Sequence, residues 1–181
     1  MLIKKARYFY LILVGILLFN IMPVTQVHAQ ETDYRAYSLF VYNFMKYIEW
    51  PTETGNKEDF VIGVFGDSFI LKELQNLAAT KKIKGRTILV KKLSTVDEVT
   101  SCQLVYIASS KSGSLKLLLE KTKEKPILLV AEREGLAKKG AGLSFVTMED
   151  DVLKFDINRS IIEKHNLKVS TILISLGLIV G

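Results

Sequence analysis

Four short apolar runs restrict the fold most. FVIGVFG (60–66), TILVKKL (87–93), CQLVYIA (102–108) and PILLVAE (126–132) are dense in Val, Ile and Leu. Each is too short for a stable helix and rich in residues that favour a pleated backbone. The segments between them, 69–80 and 112–123, have helical patterning; Leu115, Leu118 and Leu119 stand at i, i+3 and i+4. A strand apolar on both sides has to be covered on both faces, and a helix between successive strands lets them run parallel. The pattern predicts an α/β chain: a single compact domain with a mostly parallel mixed sheet flanked by helices on both faces, in a Rossmann-like three-layer arrangement. Segment 95–100 reads as a short helix or turn. Segment 52–59, opened by Pro51 and carrying Gly55-Asn56, reads as a loop.

The pattern changes after residue 140. GLSFVTMED (142–150) and VLKFDIN (152–158) abut across Asp150-Asp151, which predicts a β-hairpin near the C-terminal end. Asn158 is placed to cap a short helix through Lys164. The uncharged tail VSTILISLGLIVG (169–181) repeats Val169, Ile172, Leu173, Leu176 and Val180 at helical spacing. A buried C-terminal helix is expected; the β-branched content makes a strand the alternative.

Residues 1–29 have the form of a cleaved signal peptide. Lys4, Lys5 and Arg7 precede an apolar stretch from Leu11 to Met22, and Val27-His28-Ala29 suits cleavage after Ala29. The domain is then 30–181 of an exported chain. Loss of the three basic residues takes away half of the formal +6 charge. The remaining basic cluster, Lys81, Lys82, Lys84, Arg86, Lys91 and Lys92, reads as a solvated face, since an exported chain has no nucleic acid to meet. Cys102 is the one cysteine, so no internal disulfide forms, and its place beside a strand suits a small buried hydrophobe.

Most catalytic chemistry fails on what is missing. VFGDSF (64–69) resembles a serine-esterase nucleophile block, but His165 is the one histidine beyond the leader, and Ile162 stands where an orienting Asp would be needed. No dinucleotide or P-loop pattern occurs, and REGLAKKGAGLSF (132–145) reads as a basic turn leading to a strand. One histidine and one cysteine offer no metal-ligand spacing. No catalytic residue, cofactor or metal is expected. Open α/β sheets bind ligands where the strand order reverses, at strand carboxyl ends. Asp67 and Ser68 follow the first apolar strand and are the candidate small-ligand residues.

YNFMKYIEWP (42–51) ends an aromatic run comprising Tyr34, Tyr37, Phe40, Tyr42, Phe44, Tyr47 and Trp50. At helical spacing Tyr37, Phe40, Val41, Phe44, Tyr47 and Ile48 share an arc of roughly 120°, which predicts a core stripe. Leu39, Tyr42 and Trp50 project elsewhere. With Pro51 they are the candidate partner-binding residues, because Tyr and Trp are enriched at protein contacts. Packing beneath the 52–59 loop or the C-terminal helix is the competing account.

NFMKYIEWP (43–51) resembles the opening signature of the YfiR-like family of periplasmic regulatory proteins. VIGVFGD (61–67), KGRTILVKKL (84–93), CQLVYIASS (102–110), PILLVAEREG (126–135), GAGLSFV (140–146), VLKFDINR (152–159) and NLKVSTILISLGLIV (166–180) follow in the family's order. The resemblance implies a non-catalytic periplasmic α/β regulator, acting as a homodimer. It implies that the protein binds and restrains the extracytoplasmic domain of a membrane signalling protein, a diguanylate cyclase or a sensor kinase. Its release would raise cyclic di-GMP and promote biofilm. A small-ligand sensor is the alternative. Two departures stand out: the lone Cys102 excludes control through an internal disulfide, and Gly177 replaces an alanine common near the family's end.

Overall fold

Residues 32–51 and 59–181 are described by a computed structural model. The expected leader (1–29) and residues 52–58 of the expected loop lie outside the described residues.

Helix α1 (Tyr34–Tyr47) starts where Asp33 accepts hydrogen bonds from the backbone N–H groups of Arg35 and Ala36. It stops at Ile48, whose backbone is extended and begins the two-residue strand β1 (Ile48–Glu49). There follow β2 (Phe60–Phe65), α2 (Ile70–Thr80), β3 (Lys82–Ile83), β4 (Arg86–Leu93), β5 (Leu104–Ile107), α3 (Leu115–Thr122), β6 (Leu128–Ala131), β7 (Leu143–Thr147), β8 (Leu153–Ile157), α4 (Arg159–Lys164), β9 (Lys168–Val169), α5 (Thr171–Leu176) and β10 (Leu178–Ile179). Asp33–Gly181 form one compact unit.

Eight strands make one mixed sheet in the order β10-β8-β7-β6-β5-β2-β4-β3. The four runs singled out in the sequence lie in β2, β4, β5 and β6 and pair in parallel; β7 joins β6 in parallel and β8 antiparallel. β4 and β5 flank β2, so the strand order reverses at the carboxyl end of β2. β1 and β9 pair separately, antiparallel, and tie the end of α1 to the segment before α5. Lys82, Arg86, Lys91 and Lys92 of the basic cluster lie on β3 and β4 at one sheet edge, where charge discourages strand addition.

Side chains alternate across the sheet. Ile62, Val64, Leu104, Tyr106, Leu128 and Val130 join Val41, Phe44, Leu74 and Leu173 from α1, α2 and α5 in one core. Phe65, Val105, Ile107, Leu129 and Ala131 join Leu115 and Leu118 from α3 in a second. The expected aromatic stripe of α1 holds: Val41, Phe44 and Ile48 are buried, and Tyr37, Phe40 and Tyr47 are half-buried against the same core. Met45 is buried as well. Asn158 caps α4 through a hydrogen bond from the Ile161 N–H, as expected. Segment 97–101 is a 3-10 turn.

The tail departs from expectation. It is split into β9, α5 and β10, and Leu173 is the buried residue of α5. Ile172 and Leu176, expected inside, are 53% and 59% exposed. Gly177 accounts for the break. A Cβ there would lie 2.5 Å from Phe155 Cε2, so the backbone itself packs on Phe155. The chain then extends, and Leu178 and Ile179 pair in parallel with β8. The strand alternative therefore applies to the last residues.

Candidate functional site

The candidate partner residues are on or just beyond α1, in different settings. Leu39 is 52% exposed, in line with exposed Arg35, Asn43 and Lys46. Tyr42 is half-buried, and its hydroxyl donates to the Lys82 carbonyl at 3.2 Å. Trp50 stands edge-on to Phe60, with ring centroids 4.9 Å apart, and its indole N–H donates to the Gln103 carbonyl at 3.2 Å. Each side chain is thus anchored within the chain, and part of each stays open. Pro51 is exposed. Helices α1 and α5 are in contact, and α5 and β10 add exposed Ile172, Leu176, Leu178 and Ile179. Reading the tail as a buried helix missed these residues; the signal for them was an uncharged tail with more apolar residues than one helical stripe can bury.

Asp67 and Ser68 lie at the carboxyl end of β2, where the strand order reverses. The Ser68 hydroxyl accepts from the Ile70 N–H at the start of α2. The Asp67 carboxylate receives the Lys92 ammonium at 2.6 Å. That hydrogen bond and charge hold the carboxyl below its ordinary range. Gly66 has φ +98°, and a Cβ on it would meet Lys111 Cγ at 2.5 Å, so Lys111 lies close across this end of the sheet.

The esterase geometry does not form. His165 Nδ1 lies 2.8 Å from the Lys125 carbonyl, just before β6. β2, β5 and β6 run parallel, so His165 is at the amino end of the strands and Ser68 at the carboxyl end. Cys102 is buried with its Sγ 2.8 Å from a Cβ built on Gly63, and burial raises the thiol. Among the described residues no group of His, Cys, Asp and Glu could hold a metal ion. No helix among them is long and apolar enough to cross a membrane.

One polar cluster went unnoticed in the sequence. The Tyr34 hydroxyl donates to Glu132 Oε1 at 2.9 Å, joining the first turn of α1 to the end of β6. Tyr106 is fully buried beneath, its hydroxyl towards Glu132; among the described residues neither that hydroxyl nor the buried Glu132 Oε2 has a well-formed hydrogen bond. Burial raises all three hydroxyls, those of Tyr34, Tyr37 and Tyr106, and the nearby Glu132 charge adds to it. The available signal was a glutamate directly after an apolar strand, with tyrosines one helical turn apart upstream.

A family model described as YfiR/HmsC-like matches residues 34–177. No curated protein matches the chain.

Proposed function

The chain belongs to the YfiR/HmsC-like family, and from that premise we propose that it is a periplasmic regulator without catalysis. It binds and restrains the extracytoplasmic domain of a membrane signalling protein that controls cyclic di-GMP. The family match over residues 34–177 carries the reading; membership is consistent with a regulatory role in cyclic di-GMP signalling. We take the sheet as a Rossmann-like three-layer scaffold, with the 148–152 turn as a hairpin tip. The partner meets the outer side of α1 at Leu39 and the open sides of Tyr42, Trp50 and Pro51, continuing onto Ile172 and Leu176. Their exposure supports this placement, since clustered surface apolar residues mark contact sites.

Photo-crosslinking groups placed at Leu39 and at Leu176 test it in cells. Capture of one integral membrane protein with a cytoplasmic signalling domain is expected at both positions. Crosslinks only between copies of the chain would assign the face to a homodimer instead. Absence of any membrane protein would overturn the proposal.

A further inference from the structure

A cleft of about 470 Å³ opens between α3 and the turns that follow β6. That volume falls within the usual range for small-molecule sites. Leu115, Leu119 and Leu136 give it an apolar lining; Leu115 and Leu136 are buried and Leu119 half-buried. Lys116 on α3, Arg133 just after β6 and Lys139 in the 3-10 turn Ala137–Lys139 line it as well. Glu134 is the one carboxylate among the lining residues, so cations outnumber it three to one.

None of these three cations has an ion-pair partner among the described residues. Lys121 on the same helix is by contrast engaged by Asp97, and Lys92 by Asp67. The walls are fixed relative to each other. Gly140 turns the chain at φ +113°, and a Cβ on it would sit 2.9 Å from Leu119 Cδ1, so the turn carrying Lys139 lies against α3. The start of α3 supplies no separate anion hole, because the Leu115 N–H already donates to the Ser112 carbonyl. The loops lining the cleft follow β5 and β6, at the carboxyl ends of parallel strands where α/β sheets collect ligands.

We infer that this cleft binds a small organic anion with an apolar body, the carboxylate or phosphate held by Arg133, Lys116 and Lys139 and the body against Leu119 and Leu136. This inference does not depend on the partner proposed above.

Calorimetric titration of the purified protein with 1-naphthylacetate and 1-naphthyl phosphate tests it, with 1-naphthol and inorganic phosphate as controls. At least one aromatic anion should bind about tenfold more tightly than either control, and the tighter of the two identifies the headgroup. Arg133→Gln should weaken that binding about fivefold, Lys116→Gln should weaken it too, and Arg133→Lys, which keeps the charge but not the planar fork, should weaken it less than Arg133→Gln. Backbone amide shifts on binding should centre on Gly113 and Gly135. The inference is overturned by any of three results: no anion binds at millimolar concentration, 1-naphthol binds as well as the anions, or Arg133→Gln and Lys116→Gln leave the affinity unchanged. Shifts centred elsewhere in the protein would also overturn it.

Discussion

Tyr106 is fully buried with its ring 6.2 Å from that of Phe145, yet its hydroxyl, though near Glu132, makes no well-formed hydrogen bond among the described residues. A buried polar group without a hydrogen bond costs about 1–3 kcal/mol, so its removal should not be destabilising. Tyr106→Phe is expected to leave urea stability unchanged or raise it by about 1 kcal/mol. A loss beyond about 2 kcal/mol would mean that the hydroxyl is bonded in solution. Tyr34→Phe is the contrast, since that hydroxyl does donate to Glu132; a loss of roughly 1 kcal/mol is expected from the same measurement. At an exposed ion pair, Lys92 depresses the Asp67 carboxyl. Whatever stability this pair supplies is present above the ordinary aspartate pKa and is lost as pH falls through the lower folded value. Both side chains are largely exposed, so the effect is small and salt-screened. Carboxyl NMR should place Asp67 below the ordinary aspartate range, and Lys92→Met should return it there; an unchanged midpoint would refute the pairing. At this scale the sequence was legible where the partner is local, as with Asn158 and α4. It was silent where Tyr34 reaches Glu132 across most of the chain, because that contact exists only once α1 and β6 are packed.

The strands were the most legible elements. Each of the four apolar runs carries its own reason to be buried on both faces, and each forms a strand close to its expected limits. The tail was the least legible. Its helical spacing is real, but a six-residue helix buries little, and Gly177 offers a bare backbone to Phe155 where a helix would need a side chain. Competition between local spacing and a vacant sheet edge was decided by the edge. Within β2, Gly63 shows how closely strand and second core fit: a Cβ there would lie 2.4 Å from Leu93 Cδ1 and 2.8 Å from Cys102 Sγ. Gly63→Ala is therefore expected to cost about 1–3 kcal/mol as overpacking. Cys102→Ala in the same chain should recover part of that cost by making room. Chemical denaturation of the two single variants and the double variant gives the coupling; additive effects would show that the clash is relieved elsewhere.

Across the whole molecule the buried and exposed apolar residues do different work. The two cores leave Leu39 on α1, Ile172 and Leu176 on α5, and Leu178 and Ile179 on β10 exposed. Replacing Ile172 and Leu176 by Ser takes little from either core, because more than half of each side chain already meets water. Their combined change should cost no more than about 1 kcal/mol in folding, as surface substitutions do. Under the regulatory reading the same double variant should release the membrane partner and raise cellular cyclic di-GMP, with the protein still folded and abundant. Measurement of stability and of cyclic di-GMP in one strain separates the two roles. A folded, abundant variant with unchanged cyclic di-GMP removes this face from the partner contact. Unfolding instead would mean that the tail supports the core far more than its exposure implies. Part of this face could be anticipated, since Leu39 falls outside the aromatic stripe. The exposure of Ile172 and Leu176 could not, because it depends on Gly177 ending α5 against Phe155 and leaving them on the outside.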